Sequence, residues 1–110
     1  MKIGIDRMLW TNDDMPELGD EVTAEQCVKE AHAAGYQGIE MGRKFPKDAE
    51  SMKALLNPYQ MQLVSGWMDG HITQRSIKEE LEASHAHLTL LSEMKAPVVV
   101  YCEVTEAVHN

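Results

Sequence analysis

The run APVVVYC, residues 96–102, carries no charged side chain. A half-solvated strand alternates apolar and polar residues, so an unbroken apolar run describes a strand covered on both faces, as in a parallel sheet. Parallel neighbours must be joined by a long crossover, usually a helix. Upstream, MQLVSGW (61–67), YQGIEMG (36–42) and KIGIDRML (2–9) read as three earlier strands. Between the first two lies VTAEQCVKEAHAAG (22–35), with Thr23 as N-cap, Gln26 completing a capping box and Gly35 as the stop. Its apolar Ala24, Cys27, Val28 and Ala31 recur at helical spacing. Asp48 caps a second helix bearing Met52, Leu55, Leu56 and Tyr59. Pro58 sits awkwardly near its end, because the residue before a proline disfavours helical geometry. A third, longer helix carries a stripe of Ile77, Leu81, Ser84, Leu88 and Leu91.

The resulting order is β-α-β-α-β-α-β, the pattern of a parallel sheet with right-handed crossovers. Strands begin near residues 3, 36, 62 and 97, a repeat of about 31 residues, and eight such units give roughly the 250 residues of a (β/α)₈ barrel. The expectation is therefore an α/β chain, the N-terminal half of a TIM barrel, with residues 1–110 as a single partial domain truncated after the fourth strand. Four strands of a barrel leave two open edges. A small open sheet complete in itself, or a homodimer that closes eight strands through those edges, are the alternatives.

A net charge of −8 leaves no basic surface to neutralise phosphates, which argues against nucleic acid and against an anionic membrane. No apolar stretch approaches the roughly 20 residues of a membrane span. Asp6 and Arg7 interrupt the N-terminal apolar run, so it does not read as a signal peptide. Cys27 and Cys102 lack a C-x-x-C spacing and read as lone, structural thiols of a reducing cytoplasm.

In βα barrels chemistry collects at the carboxyl ends of the strands. Here those ends carry Trp10 to Asp14, Glu40 to Lys44, Trp67 to His71, and Glu103 to His109. The first connection is longer than the usual 2–6 residues of a βα loop, which favours a binding loop; the plainer reading is a turn in which Asn12 and Asp13 bond their own backbone. Glu40 at a strand end suits a base or a group that orients hydroxyls, and Lys44 suits polarising a carbonyl; an exposed ion pair is the plainer account of both. Trp67 suits stacking on the apolar face of a sugar ring. Glu103 and His109 suit acid–base work, but no third ligand lies near them for a metal. His85 and His87, two apart on a helix, point roughly 200° away from each other and read as structural. No phosphate-binding glycine motif or nucleophile elbow is present.

Taken together and in order, WTNDDMPELG (10–19), GYQGIEMGRKFP (35–46), LVSGW (63–67) and VYCEVTEAVHN (100–110) resemble the N-terminal part of inosose dehydratases, within the xylose-isomerase-like sugar isomerase and epimerase barrels. The first string is the most specific. The resemblance implies a divalent-metal lyase, using Mn²⁺ or Co²⁺, that removes water from 2-keto-myo-inositol. By matching position it implies Glu40, Lys44 and Glu103 as catalytic residues. Trp10, Asn12, Asp13, Trp67 and His109 would bind the cyclitol or keto sugar. Metal ligands of such barrels come mainly from later strands, so the expectation is no metal on this chain and little activity by itself. A related isomerase such as hydroxypyruvate isomerase, or a non-catalytic half-barrel that self-associates, are the competing readings.

Overall fold

The computed structural model describes residues 1–108. Four strands, β1 (Gly4–Asp6), β2 (Gly38–Met41), β3 (Gln62–Gly70) and β4 (Val100–Glu103), form one parallel sheet in the order β1-β2-β3-β4. They alternate with α1 (Ala24–Ala33), α2 (Ala49–Leu56) and α3 (Ile77–Glu93). Each strand is added beside the last with no reversal of order. Right-handed crossovers then place every helix on the same side of the sheet, as in a barrel and unlike a doubly wound sheet. The fold is thus a partial α/β barrel, as the strand spacing foretells. Its radius of gyration, 14.5 Å, exceeds the about 13 Å of a compact domain this long, because the sheet is curled but open.

The caps explain the helix starts. Thr23 accepts from the Gln26 amide, Asp48 from the Ser51 amide, and Ser76 with Glu79 completes a full capping box on α3. Gln26 does not close the box expected of it; its side chain donates instead to Glu30 at 2.9 Å, one turn along. Gly35, at φ +93°, ends α1 as expected. Pro58 resolves its conflict by ending α2 at Leu56 and opening a 3₁₀ turn over Asn57–Tyr59. The first strand is shorter than its apolar run. Asp6 accepts from the Met8 amide and bends Arg7–Leu9 into a 3₁₀ turn.

The core lies between sheet and helices. Ile39, Met41 and Leu63 from the strands meet Cys27, Val28 and Ala31 of α1, Met52 and Leu56 of α2, and Leu90 and Leu91 of α3. The stripe expected on α3 is only partly buried. Ser84 and Leu91 face inward, but Ile77, Leu81 and Leu88 face out, and Glu80 is buried instead. The helix is rotated because Glu80 is drawn in by three hydrogen-bond donors. His85 is exposed, while His87 lies over Gly66, where a Cβ would come within 2.8 Å of its ring. Among the described residues no helix is long and apolar enough to cross a membrane.

Leu56 is fully buried. Leu56→Ala should cost about 2–5 kcal/mol, read as a lower urea midpoint with an unchanged slope.

Candidate functional site

The carboxyl ends of β1, β2 and β3 border a cavity of about 600 Å³, lined by Asp6, Arg7, Met8, Asp13, Asp14, Glu40, Arg43, Trp67, Asp69 and Val100. Register builds its floor. Asp6 sits opposite Glu40, and Glu40 opposite Ser65. Between the partners of Ile39 and Glu40, β3 carries one extra residue, Val64. This bulge advances β3 by one position, so that Glu40 meets a serine rather than a valine. The Ser65 hydroxyl, itself buried, donates to Glu40 Oε2 and fixes the carboxylate at the rim.

Arg7 is the buried cation of the site, 4% exposed. Its guanidinium donates to Asp6 Oδ1 at 3.0 Å and to Asp13 Oδ2. Asp13 also accepts from the Arg43 amide at 3.3 Å, tying the first loop to the second. Gly42 makes room for this arrangement, since a Cβ there would stand 2.1 Å from Arg7 Nε.

The long first loop is organised from within and from below. Asn12 Oδ1 accepts from the amides of Asp14 (2.9 Å) and Met15 (3.0 Å), a side-chain-closed turn. Lys44 Nζ donates to the carbonyls of Gly19, Asp20 and Val22 at 3.0, 2.6 and 2.9 Å. Gly19 has φ +74°, and a Cβ there would meet the Trp10 carbonyl at 1.9 Å. The Trp10 indole donates to Glu30 at 2.5 Å; the Gln26 side chain first and Trp10 second hold that carboxyl below its usual range.

At the far side the Trp67 indole donates to Asp69 at 2.6 Å. Glu103 accepts from the amides of Ile72 (2.6 Å), Thr73 (3.4 Å) and Thr105 (2.9 Å). The Thr105 side chain, then these amides, hold the Glu103 carboxyl down at about 2, against partial desolvation that acts the other way.

Of the residues singled out in the sequence, Asp13, Glu40 and Trp67 meet at the cavity. Trp10, Asn12, Lys44 and Glu103 stand outside its lining and hold the loops that shape it. His109 lies outside the described residues. Asp6, Arg7 and Ser65 lie outside the strand-end stretches marked in the sequence, while Arg43 and Asp69 lie within them with no role assigned. Asp6 and Arg7 carried the one usable signal, two charges inside an apolar strand.

No protein-family profile matches the sequence. Individual relatives do. The chain is 43% identical over 110 residues to the rhizopine catabolism protein MocC of Rhizobium meliloti. It is 43% identical over 103 residues to an inosose dehydratase of Geobacillus thermodenitrificans, and 38% identical over 110 to one of Mesomycoplasma hyopneumoniae. These alignments cover 100%, 94% and 100% of the chain. Over this span the chain belongs to the inosose dehydratase family. It spans about a third of the length of these relatives, 34% to 36%.

Within the inosose dehydratase frame, the described residues supply carboxylates, two arginines and an indole around one cavity. They group no three His, Cys, Asp or Glu side chains so as to hold a metal ion.

Gly42→Ala should push Arg7 off Asp13 and cost about 1–3 kcal/mol. Chemical denaturation reads the loss, and faster proteolysis of residues 10–20 reads the freed loop. Glu103 should titrate by NMR near pH 2 rather than at its ordinary 4.5. With a folded value below the unfolded one, its contribution is whole above about pH 4.5 and is lost as pH falls through about 2. Glu103→Gln should therefore weaken the pH dependence of stability inside that window.

Proposed function

We propose that this chain supplies one wall of the cyclitol pocket of an inosose dehydratase-type lyase, whose substrate is 2-keto-myo-inositol. Glu40 carries the reading. It is a strand-end carboxylate, braced by Ser65, on a cavity that Trp67 walls and Arg7 and Arg43 border. A ring bearing hydroxyls on most carbons needs several fixed acceptors and donors together with a flat apolar surface. The cavity lining offers that combination.

In the dehydration, a proton leaves the carbon beside the ketone. Its electron pair moves into the ring as the neighbouring carbon–oxygen bond breaks, and the hydroxyl departs with a proton as water. Glu40 is assigned the proton or the orientation of the hydroxyls. Asp13 and Trp67 are assigned substrate contact, and His109 stays a candidate for the same role. Lys44 and Glu103, along with Trp10 and Asn12, act through the loops they hold, because their polar atoms are already engaged there. The described residues bring together no three His, Cys, Asp or Glu side chains for the Mn²⁺ or Co²⁺ that the resemblance implies; in such barrels those ligands come mainly from later strands. The free thiols Cys27 and Cys102 fit a cytoplasmic setting.

A second reading, association of two copies, is favoured by exposed apolar side chains beside the outer strand: Ile77, Leu81, Val98, Val99 and Tyr101. Light scattering on a sizing column checks it, a mass of twice 12.4 kDa being the expected result.

For the pocket, myo-inositol titrated into the chain should shift the Trp67 indole N–H resonance saturably. Glu40→Gln should weaken that binding about tenfold with the far-UV circular dichroism unchanged. The absence of any saturable shift counts against the reading.

A further inference from the structure

The loop that follows β3 is held at both ends by carboxylates from different elements. Glu103, the last residue of β4, accepts from the Ile72 amide at 2.6 Å, and from the Thr73 amide and hydroxyl at 3.4 and 3.3 Å. Glu80, in the first turn of α3 and 7% exposed, accepts from the His71 amide at 3.1 Å. It also accepts from the Arg75 guanidinium at 3.3 Å and the Tyr101 hydroxyl at 3.2 Å. The three consecutive amides 71 to 73 are thus all spent on carboxylate oxygens.

The geometry leaves little freedom around this arrangement. The Tyr101 ring lies over Gly70, where a Cβ would fall 2.0 Å from the ring. The Val104 amide donates to the Gly70 carbonyl at 2.9 Å. A buried carboxylate is tolerated only when its oxygens are occupied. The donors to Glu80 come from the loop and from β4, so α3, loop and β4 must be in place together. The segment so fixed begins two residues after Asp69 and four after Trp67, which are hydrogen-bonded to each other at the cavity.

We propose that Glu103 and Glu80 are positioning residues that latch residues 71–75 to the end of β4 and the first turn of α3, and thereby set where Asp69 and Trp67 stand. The link to the cavity rests on the cyclitol reading above; the latch does not. On this account the loop is ordered before any ligand arrives, and Glu103 acts through backbone amides without touching substrate.

Amide hydrogen exchange on the whole chain, followed by NMR, tests the latch. In Glu103→Ala the Ile72 and Thr73 amides should exchange about tenfold faster or more. The β2 amides should keep their protection, and the Trp67 indole resonance should move. Glu103→Gln keeps one acceptor oxygen and should restore part of the protection, and it carries the test if the alanine variant fails to fold. Unchanged Ile72 and Thr73 rates in a folded variant, or alanine and glutamine variants that behave alike, overturn the proposal. If the parent chain ignores myo-inositol while these amides respond as stated, the pocket reading falls and the latch stands. If the parent binds myo-inositol and the loop rates do not move, only the latch falls.

Discussion

Parallel pairing obliges every strand of this sheet to be joined to the next by a connection that returns along its length. Three such returns, all of one hand, put α1, α2 and α3 on one side and leave every strand's carboxyl end on one rim. Ile39 and Met41 of β2 and Leu63 of β3 are spent on the helices, Ile39 and Leu63 being completely covered. What remains for the rim is mostly charged, with Met8, Trp67 and Val100 among it. Asp6 and Glu40 gather there because they stand opposite each other at the ends of neighbouring strands, and Asp69 joins them near the end of the longer β3.

Concentrating acids on one rim is electrostatically unfavourable unless cations stand among them, and here they do. Arg7, almost fully enclosed, answers Asp6 and Asp13. Arg43 and Lys44 answer Asp20 and the carbonyls of the first loop. Removing one member of such a buried pair leaves the other charge uncompensated, so loop and rim stand or fall together. The glycines at 42 and 19 belong to the same arrangement, since each admits a close approach that a side chain would block. A loop of this length would otherwise carry a large conformational entropy. Fixing it with side chains from two other segments is what allows it to border a cavity.

Much of this was legible in the chain itself. Caps at Thr23, Asp48 and Ser76, the stop at Gly35 and the apolar runs mark the elements, because these depend on neighbours within a few residues. The barrel-like order follows from spacing, since parallel strands and right-handed crossovers admit few other arrangements. Glu40, Asp13 and Trp67 border the cavity because strand ends and the loops after them are where side chains escape the core. The string WTNDDMPELG already pointed to the family that the relatives then named.

Other features were settled only by tertiary contact. Which face of α3 is buried does not follow from periodicity, because Glu80, held by three donors, is turned inward while Ile77, Leu81 and Leu88 face out. The bulge at Val64 that brings Ser65 to Glu40 leaves no mark in the sequence, and neither does the space at Gly42 that seats Arg7. Lys44 and Glu103 read from the sequence as groups for carbonyl polarisation and acid–base work, yet the fold turns both toward backbone. The sequence by itself determined the elements, their order and the chemistry offered at the rim, because local hydrogen bonds and apolar spacing decide those. Which charges face the cavity and which hold a loop was decided by the folded structure, because that depends on partners 20 to 31 residues away in the chain.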